Sequence, residues 1–166
     1  MSLNKQPVIE MKRTGFEKMM DIIGLIVFGI SLIYLLTQWS SLPDKVPIHY
    51  NLAGVPDGWG GKWTIIILPV IGIVMWIGFY FLGKVPHTHN YIGLTQENAK
   101  RLYKNSQFTL NILRNECLIF FAGISFETVR TAEGEAMLLG VWALPVFLFV
   151  LLGSLACLFM RGLRLR

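Results

Sequence analysis

Three stretches of this chain run for eighteen residues or more without a single charge, and that spacing limits what it can fold into. They are Ile22 to Trp39, Trp63 to Leu82 and Met137 to Met160. A helix needs about 20 predominantly apolar residues to cross a bilayer, so each run is long enough to span. The rest of the composition agrees. Of 166 residues, 54% are hydrophobic and 15% charged, with a mean hydropathy of +0.54. Soluble domains carry about 25% charged residues, and one this apolar would expose patches that monomers rarely tolerate. A disordered chain, a disulfide scaffold and an ordinary cytosolic enzyme are excluded. The expected fold class is all-α, an integral membrane protein.

The first run follows a long basic leader. No small-x-small cleavage pattern comes after it, only Gln38-Trp39-Ser40-Ser41-Leu42-Pro43, so it reads as an uncleaved anchor. Pro69, Gly72 and Gly78 interrupt the second run, which neighbouring helices can accommodate in a membrane. In the last run Gly153 and Cys157 lie four apart, the spacing of a close helix contact. Cys117 and Cys157 both sit inside apolar stretches and read as small packing residues.

A further span is less plain. Only Cys117 to Phe126 is cleanly apolar, and extending it backwards recruits Asn111, Arg114, Asn115 and Glu116. With Thr95 as N-cap and Glu97 in the first turn, a helix to Phe126 would be about 48 Å long, more than the bilayer thickness. It is read as a cytoplasmic stalk entering the membrane near Asn111. Four spans result, at 22–39, 63–82, 108–129 and 137–160, with connecting segments 1–21, 40–62, 83–107, 130–136 and 161–166. Loop charge tests this count. Eleven basic residues fall in the segments 1–21, 83–107 and 161–166, and three in 40–62 and 130–136. Basic loops stay in the cytoplasm, so both termini are expected inside and the 40–62 loop outside.

The 40–62 loop holds the most specific pattern. Between Leu42 and Lys62 stand three prolines, four glycines, an Asn and two Asp. Pro56-Asp57-Gly58 supplies a fixed φ, a capping side chain and a residue free to take positive φ. Tyr50, Trp59 and Trp63 suit the headgroup level. The composition predicts an ordered loop resting on the membrane surface.

Leu-Pro-x-x-Val-Pro-x-His-Tyr-Asn-x-x-Gly-x-Pro-Asp-Gly-Trp-Gly-x-Lys, placed directly after a first span, resembles the signature of domain of unknown function 1648. That domain occurs in bacterial membrane proteins of the SdpI type, which protect a producing cell against its own secreted peptide toxin. The matching positions are Pro43, Pro47, His49, Asn51, Gly54, Pro56, Asp57, Gly58 and Lys62. Asn90-Tyr91-Ile92-Gly93-Leu94-Thr95 resembles the continuation in short four-span members. The better-known immunity proteins are longer, with a further membrane region that this chain does not show. The resemblance implies a bacterial cell-membrane location and an immunity-type role.

Candidate sites follow. His49 reads either as a ligand-binding group or as a pin for the loop through backbone carbonyls. Asp57 and Lys62 are expected to pair across the turn or to meet a partner. Arg114 and Glu116 are the ionisable residues of the third span, Arg114 placed to snorkel and Glu116 to meet Ser31 or Thr37 on a facing helix. Lys100, Arg101 and Lys104 make a basic stretch suited to anionic lipid heads. His87 and His89 lack the further ligands of a metal site. No phosphate loop, nucleophile elbow or carboxylate pair is present, so no catalysis, cofactor or nucleic acid is expected. The expected partners are the lipid bilayer and a secreted peptide toxin or another membrane protein, bound by contacts. The alternative is a sensor or regulatory subunit signalling through the third span to the basic stalk.

Overall fold

The computed structural model describes residues 6–51, 55–138 and 140–166. Among the described residues there are four α-helices and one strand pair: α1 (Gly15–Gln38), β1 (Lys45–Tyr50), β2 (Pro56–Gly61), α2 (Ile67–Leu82), α3 (Ala99–Ala132) and α4 (Ala143–Arg164). Short 3-10 turns lead into α2 (Lys62–Ile66) and α4 (Gly140–Trp142), and a third covers Pro86–Thr88. Three helical stretches are long and apolar enough to cross a membrane: Gly15–Gln38, Lys62–Leu82 and Gly140–Arg164.

α1 begins two turns before its apolar run because Thr14 and Glu17 form a capping box. The Glu17 N–H donates to Thr14 Oγ1, and Glu17 Oε2 accepts from the Thr14 N–H at 2.6 Å. Thr95 does act as a cap, one turn ahead of the regular helix. Its hydroxyl accepts from the Asn98 N–H, while Asn98 Oδ1 accepts from the Thr95 N–H at 2.7 Å. α3 then runs unbroken to Ala132, past the expected end at Phe126.

α3 is the centre of the molecule and packs against α1, α2 and α4. It is also the most polar helix, and its polar side chains are inside: Asn105, Gln107, Asn111, Arg114, Asn115, Ser125 and Glu127 are all buried. α4 touches the bundle mainly through α3 and exposes most of its apolar surface, Phe149 at 81%. The Gly153–Cys157 spacing makes no close helix contact, since Gly153 faces open space and Cys157 is exposed. Both lie on the side of α4 turned away from α3.

The all-α expectation is corrected at residues 45–61, where the Pro/Gly-rich segment forms an antiparallel two-stranded sheet. Lys45 pairs with Gly61, Val46 with Gly60, Pro47 with Trp59 and His49 with Gly58, with irregularities either side of His49. Burial in β1 does not alternate: Val46 and Pro47 are both buried and Ile48 and His49 both exposed, in keeping with the irregular register around His49. The hairpin stands on a small core of Leu35, Leu42, Val46, Ile65 and Val129, at the end where α1 and α3 finish and α2 begins.

Candidate functional site

The resemblance residues fall into two groups, those that fix the hairpin and those it displays. Pro47 and Val46 are buried against the helices. Tyr50 Oη lies 2.6 Å from Thr131 Oγ1 on the last turn of α3. Lys62 joins the hairpin's two ends: its N–H donates to Asp44 O at 2.9 Å, its ammonium donates to Leu42 O at 3.3 Å, and it lies 4.9 Å from the Trp39 ring centre. Asn51 closes the turn, accepting on Oδ1 from the Val55 N–H at 3.1 Å while its own N–H donates to Val55 O. Gly54 lies outside the described residues. Gly58 is dictated by close approach, because a Cβ there would sit 2.8 Å from His49 Cβ. Pro43 is exposed before β1, and Pro56 opens β2.

Asp57 does not pair with Lys62. It takes His49 instead, Nδ1 to Oδ1 at 2.5 Å, across the strands. The reason is register: Lys62 lies beyond the end of β2 and is drawn to Leu42 and Trp39, whereas His49 stands opposite Gly58 and reaches its neighbour. Both partners are exposed, 71% for His49 and 43% for Asp57. An exposed pair stabilises by at most about 1 kcal/mol, so the fold has little need of it. On the hairpin and the turn after it, Ile48, Val55, Trp59 and Trp63 are all more than half exposed. The hairpin therefore displays several apolar side chains and one polar couple, on a base fixed to three helices.

At the opposite end of α1 lies a charge cluster that the apolar runs do not announce. Arg114 does not snorkel. It is 4% exposed and grips Asp21 of α1, with Nη2 2.6 Å from both carboxylate oxygens and Nε 3.0 Å from Oδ1. Asn111 and Asn115 each donate to Asp21 Oδ1 at 2.9 Å, and Arg13 reaches Oδ2. Asn115 Oδ1 then accepts from the Trp76 indole N–H at 3.1 Å, bringing in α2, and the Arg114 guanidinium lies over the Trp76 and Tyr80 rings. One turn earlier, Glu17 accepts from the Lys104 ammonium at 2.7 Å. Asp21 escaped a search by apolar run because it borders one, but Glu17 and Asp21 four apart, facing Asn111, Arg114 and Asn115, carry the signal of matched helix faces.

Glu116 is half-buried and accepts from Ser154 of α4 at 2.9 Å, not from Ser31 or Thr37. Those two bond backbone carbonyls, Ser31 that of Ala122 and Thr37 that of Tyr34. Helix geometry decides this, since Asn115 faces α1 and its successor turns about 100° away, towards α4. In the connection between α2 and α3, the two ring nitrogens of His89 meet Ser106 Oγ at 2.8 Å and Leu82 O at 3.1 Å. Burial lowers its pKa below the usual 6.5.

Residues 26–73 match the family model described as a domain of unknown function, DUF1648. An uncharacterized protein of Archaeoglobus fulgidus is similar, 27% identical over 151 residues that cover 78% of this chain and 82% of that one. No solved structure matches the chain. The matched residues run from the middle of α1 through the hairpin to the middle of α2, and exclude Asp21, α3 and α4. The similarity to that domain is thus confined to this segment, with the hairpin at its centre.

Proposed function

We propose that the protein crosses the cell membrane of a bacterium four times, with both termini in the cytoplasm and the hairpin outside, and that α3 is the third of its spans. The basic residues favour this sidedness. The buried Asp21–Arg114 pair supports the span, because a polar helix can lie in a bilayer when its charges face the bundle and meet partners. A fluorescent protein fused after Arg166 should be bright, as expected for the cytoplasm, and alkaline phosphatase inserted at the hairpin turn should be active. A dark C-terminal fusion would mean three spans.

The hairpin is the recognition surface, and its ligand is a membrane-active peptide that the protein sequesters, as an immunity protein would. The observation that carries this reading is the exposed His49–Asp57 couple on a hairpin that also exposes Ile48, Val55 and Trp59, with Trp63 just after it, on a fixed base. An amphipathic peptide lying at the headgroup level offers the complementary apolar and polar faces. The mechanism needs contacts and no catalytic group. The test is depolarisation of a sensitive bacterium by secreted antimicrobial peptides, with and without the protein expressed. Protection should disappear with Trp59→Ala or Asp57→Ala while membrane levels of the protein hold. Unchanged protection in both variants would remove the hairpin from the mechanism.

A second reading has its own observation. α3 is a single helix reaching from Thr131, under the hairpin, to Lys104 at the inner end. A sensor could pass a hairpin contact along it to a cytoplasmic partner, and loss of function in Lys100 or Lys104 variants with peptide binding intact would favour that.

A further inference from the structure

The inner end of the bundle holds a cleft of about 580 Å³ between the N-terminal segment, the start of α3 and the end of α4. Lys12, Lys100, Arg101, Lys104 and Arg161 line it, with Glu10 as the acidic residue. Lys104 is already engaged: its ammonium donates to Glu17, to Gln107 Oε1 at 2.9 Å and to Lys12 O at 2.9 Å. Those bonds tie the N-terminal segment to α3 and give the cleft a fixed wall. Among the described residues, the side chains of Lys12, Lys100 and Arg101 have no ion-pair partner. Four cationic heads beside one carboxylate repel each other and concentrate anions.

A second feature says which anion. The Arg161 guanidinium lies 5.5 Å from the centre of the Phe108 ring, and Phe108 in turn lies 5.8 Å from Phe16 of α1. Phe108 is one turn deeper along α3 than Lys104, so an aromatic pair continues the cleft towards the apolar surface of the bundle. Phe16 and Met19 are each 47% exposed there. Cations above and an apolar track below match a phosphodiester carrying acyl chains.

We propose that this cleft is a binding site for one anionic phospholipid, its phosphate held by Lys100, Arg101 and Arg161 and its chains lying along Phe16 and Phe108. The site uses three separate parts of the chain, so it also fixes the N-terminal segment and the end of α4 against α3. It rests on the membrane reading and is independent of what the hairpin binds.

The probe is phosphatidylglycerol, compared with phosphatidylcholine of the same chains, titrated onto the detergent-purified full chain and counted by native mass spectrometry. Phosphatidylglycerol should be retained at least tenfold more strongly, with salt weakening it. The triple variant Lys100→Gln/Arg101→Gln/Arg161→Gln should weaken it on the order of 100-fold. Lys45→Gln, on the hairpin, should leave it unchanged, and an unaltered melting temperature of the triple variant shows that it folds. Equal retention of the two lipids, or an unaffected triple variant, overturns the proposal. So does displacement of the lipid by millimolar glycerol 3-phosphate, which would make the cleft a soluble-anion site. Lost lipid preference with intact peptide protection would leave the hairpin reading standing.

Discussion

Asp21→Asn removes one charge and almost no volume, and the structure sets what that costs. The carboxylate receives three contacts from Arg114 and one each from Asn111, Asn115 and Arg13. Arg13 is 27% exposed and can return to water, but Arg114, at 4%, cannot. An uncompensated buried charge costs about 3–5 kcal/mol, a shift of roughly 100-fold to 1000-fold or more in the folding equilibrium. The new amide also turns its NH2 towards donors that already crowd the site. Arg114→Met leaves Asp21 with Arg13 and the two amides, so it should cost less than Asp21→Asn. The double variant leaves neither charge, so its loss should fall short of the sum of the two by at least about 2 kcal/mol. Reversible unfolding in mixed micelles by titration with dodecyl sulfate, followed by tryptophan fluorescence, measures all three. An ordinary hydrogen bond between spanning helices contributes about 0.6 kcal/mol. A coupling of that size, or an Asp21→Asn cost under about 1 kcal/mol, would refute the view of this cluster as a charged clamp.

Gly24→Ala puts a methyl 2.5 Å from Asn115 Oδ1, the acceptor for Trp76, and should destabilise by about 1–3 kcal/mol in the same titration, whereas Gly29→Ala, with open space around it, should be neutral or gain up to about 1 kcal/mol. Gly58→Ala drives a methyl into His49 and should open the hairpin, seen as faster amide exchange at Val46 and His49 with the helices unaffected. His89 is held below its usual pKa by burial, so the folded state takes up its proton at a lower pH than the unfolded state does. Its share of stability is complete above about pH 6.5 and falls as the pH drops towards the lower folded value; His89→Gln should flatten the melting temperature across that window.

The apolar runs located three helices but not all their ends, α1 beginning two turns before its run and α4 six residues into its own. A run without charge has one cheap solution in a membrane, while caps and turns set the ends. The hairpin was half readable. Pro56, Asp57 and Gly58 read as a turn but lie in β2, without positive φ at Gly58, and the segment's many glycines concealed strand pairing that depends on Val46 and Pro47 meeting helices distant in sequence. The same distance hid the partner of Asp57, since strand register and not proximity along the chain chose His49. Arg114 was found as a costly residue, yet its fate needed Asp21, 93 positions away. Snorkelling is what a lone arginine does, and this one is not alone.

Hydropathy scores each residue as if it met lipid by itself, and α3 shows where that fails. On such a scale a charge at mid-bilayer costs about 2.5–3.5 kcal/mol, and Arg114 with Glu116 nearby is enough to remove the helix from the spans. In the bundle those groups meet protein: Arg114 faces Asp21, Asn115 joins Asp21 to Trp76, and Glu116 takes Ser154. The exposed apolar surface belongs to α1, α2 and α4, whose outward faces carry Ile33, Val74 and Phe149. In the proposed four-span reading, the capacity of α3 to span is thus a property of the assembled four helices. It also explains why the charged residues are distributed as they are. The acidic partner stands on α1, beside Arg13, where it meets Arg114 once α3 packs against that helix.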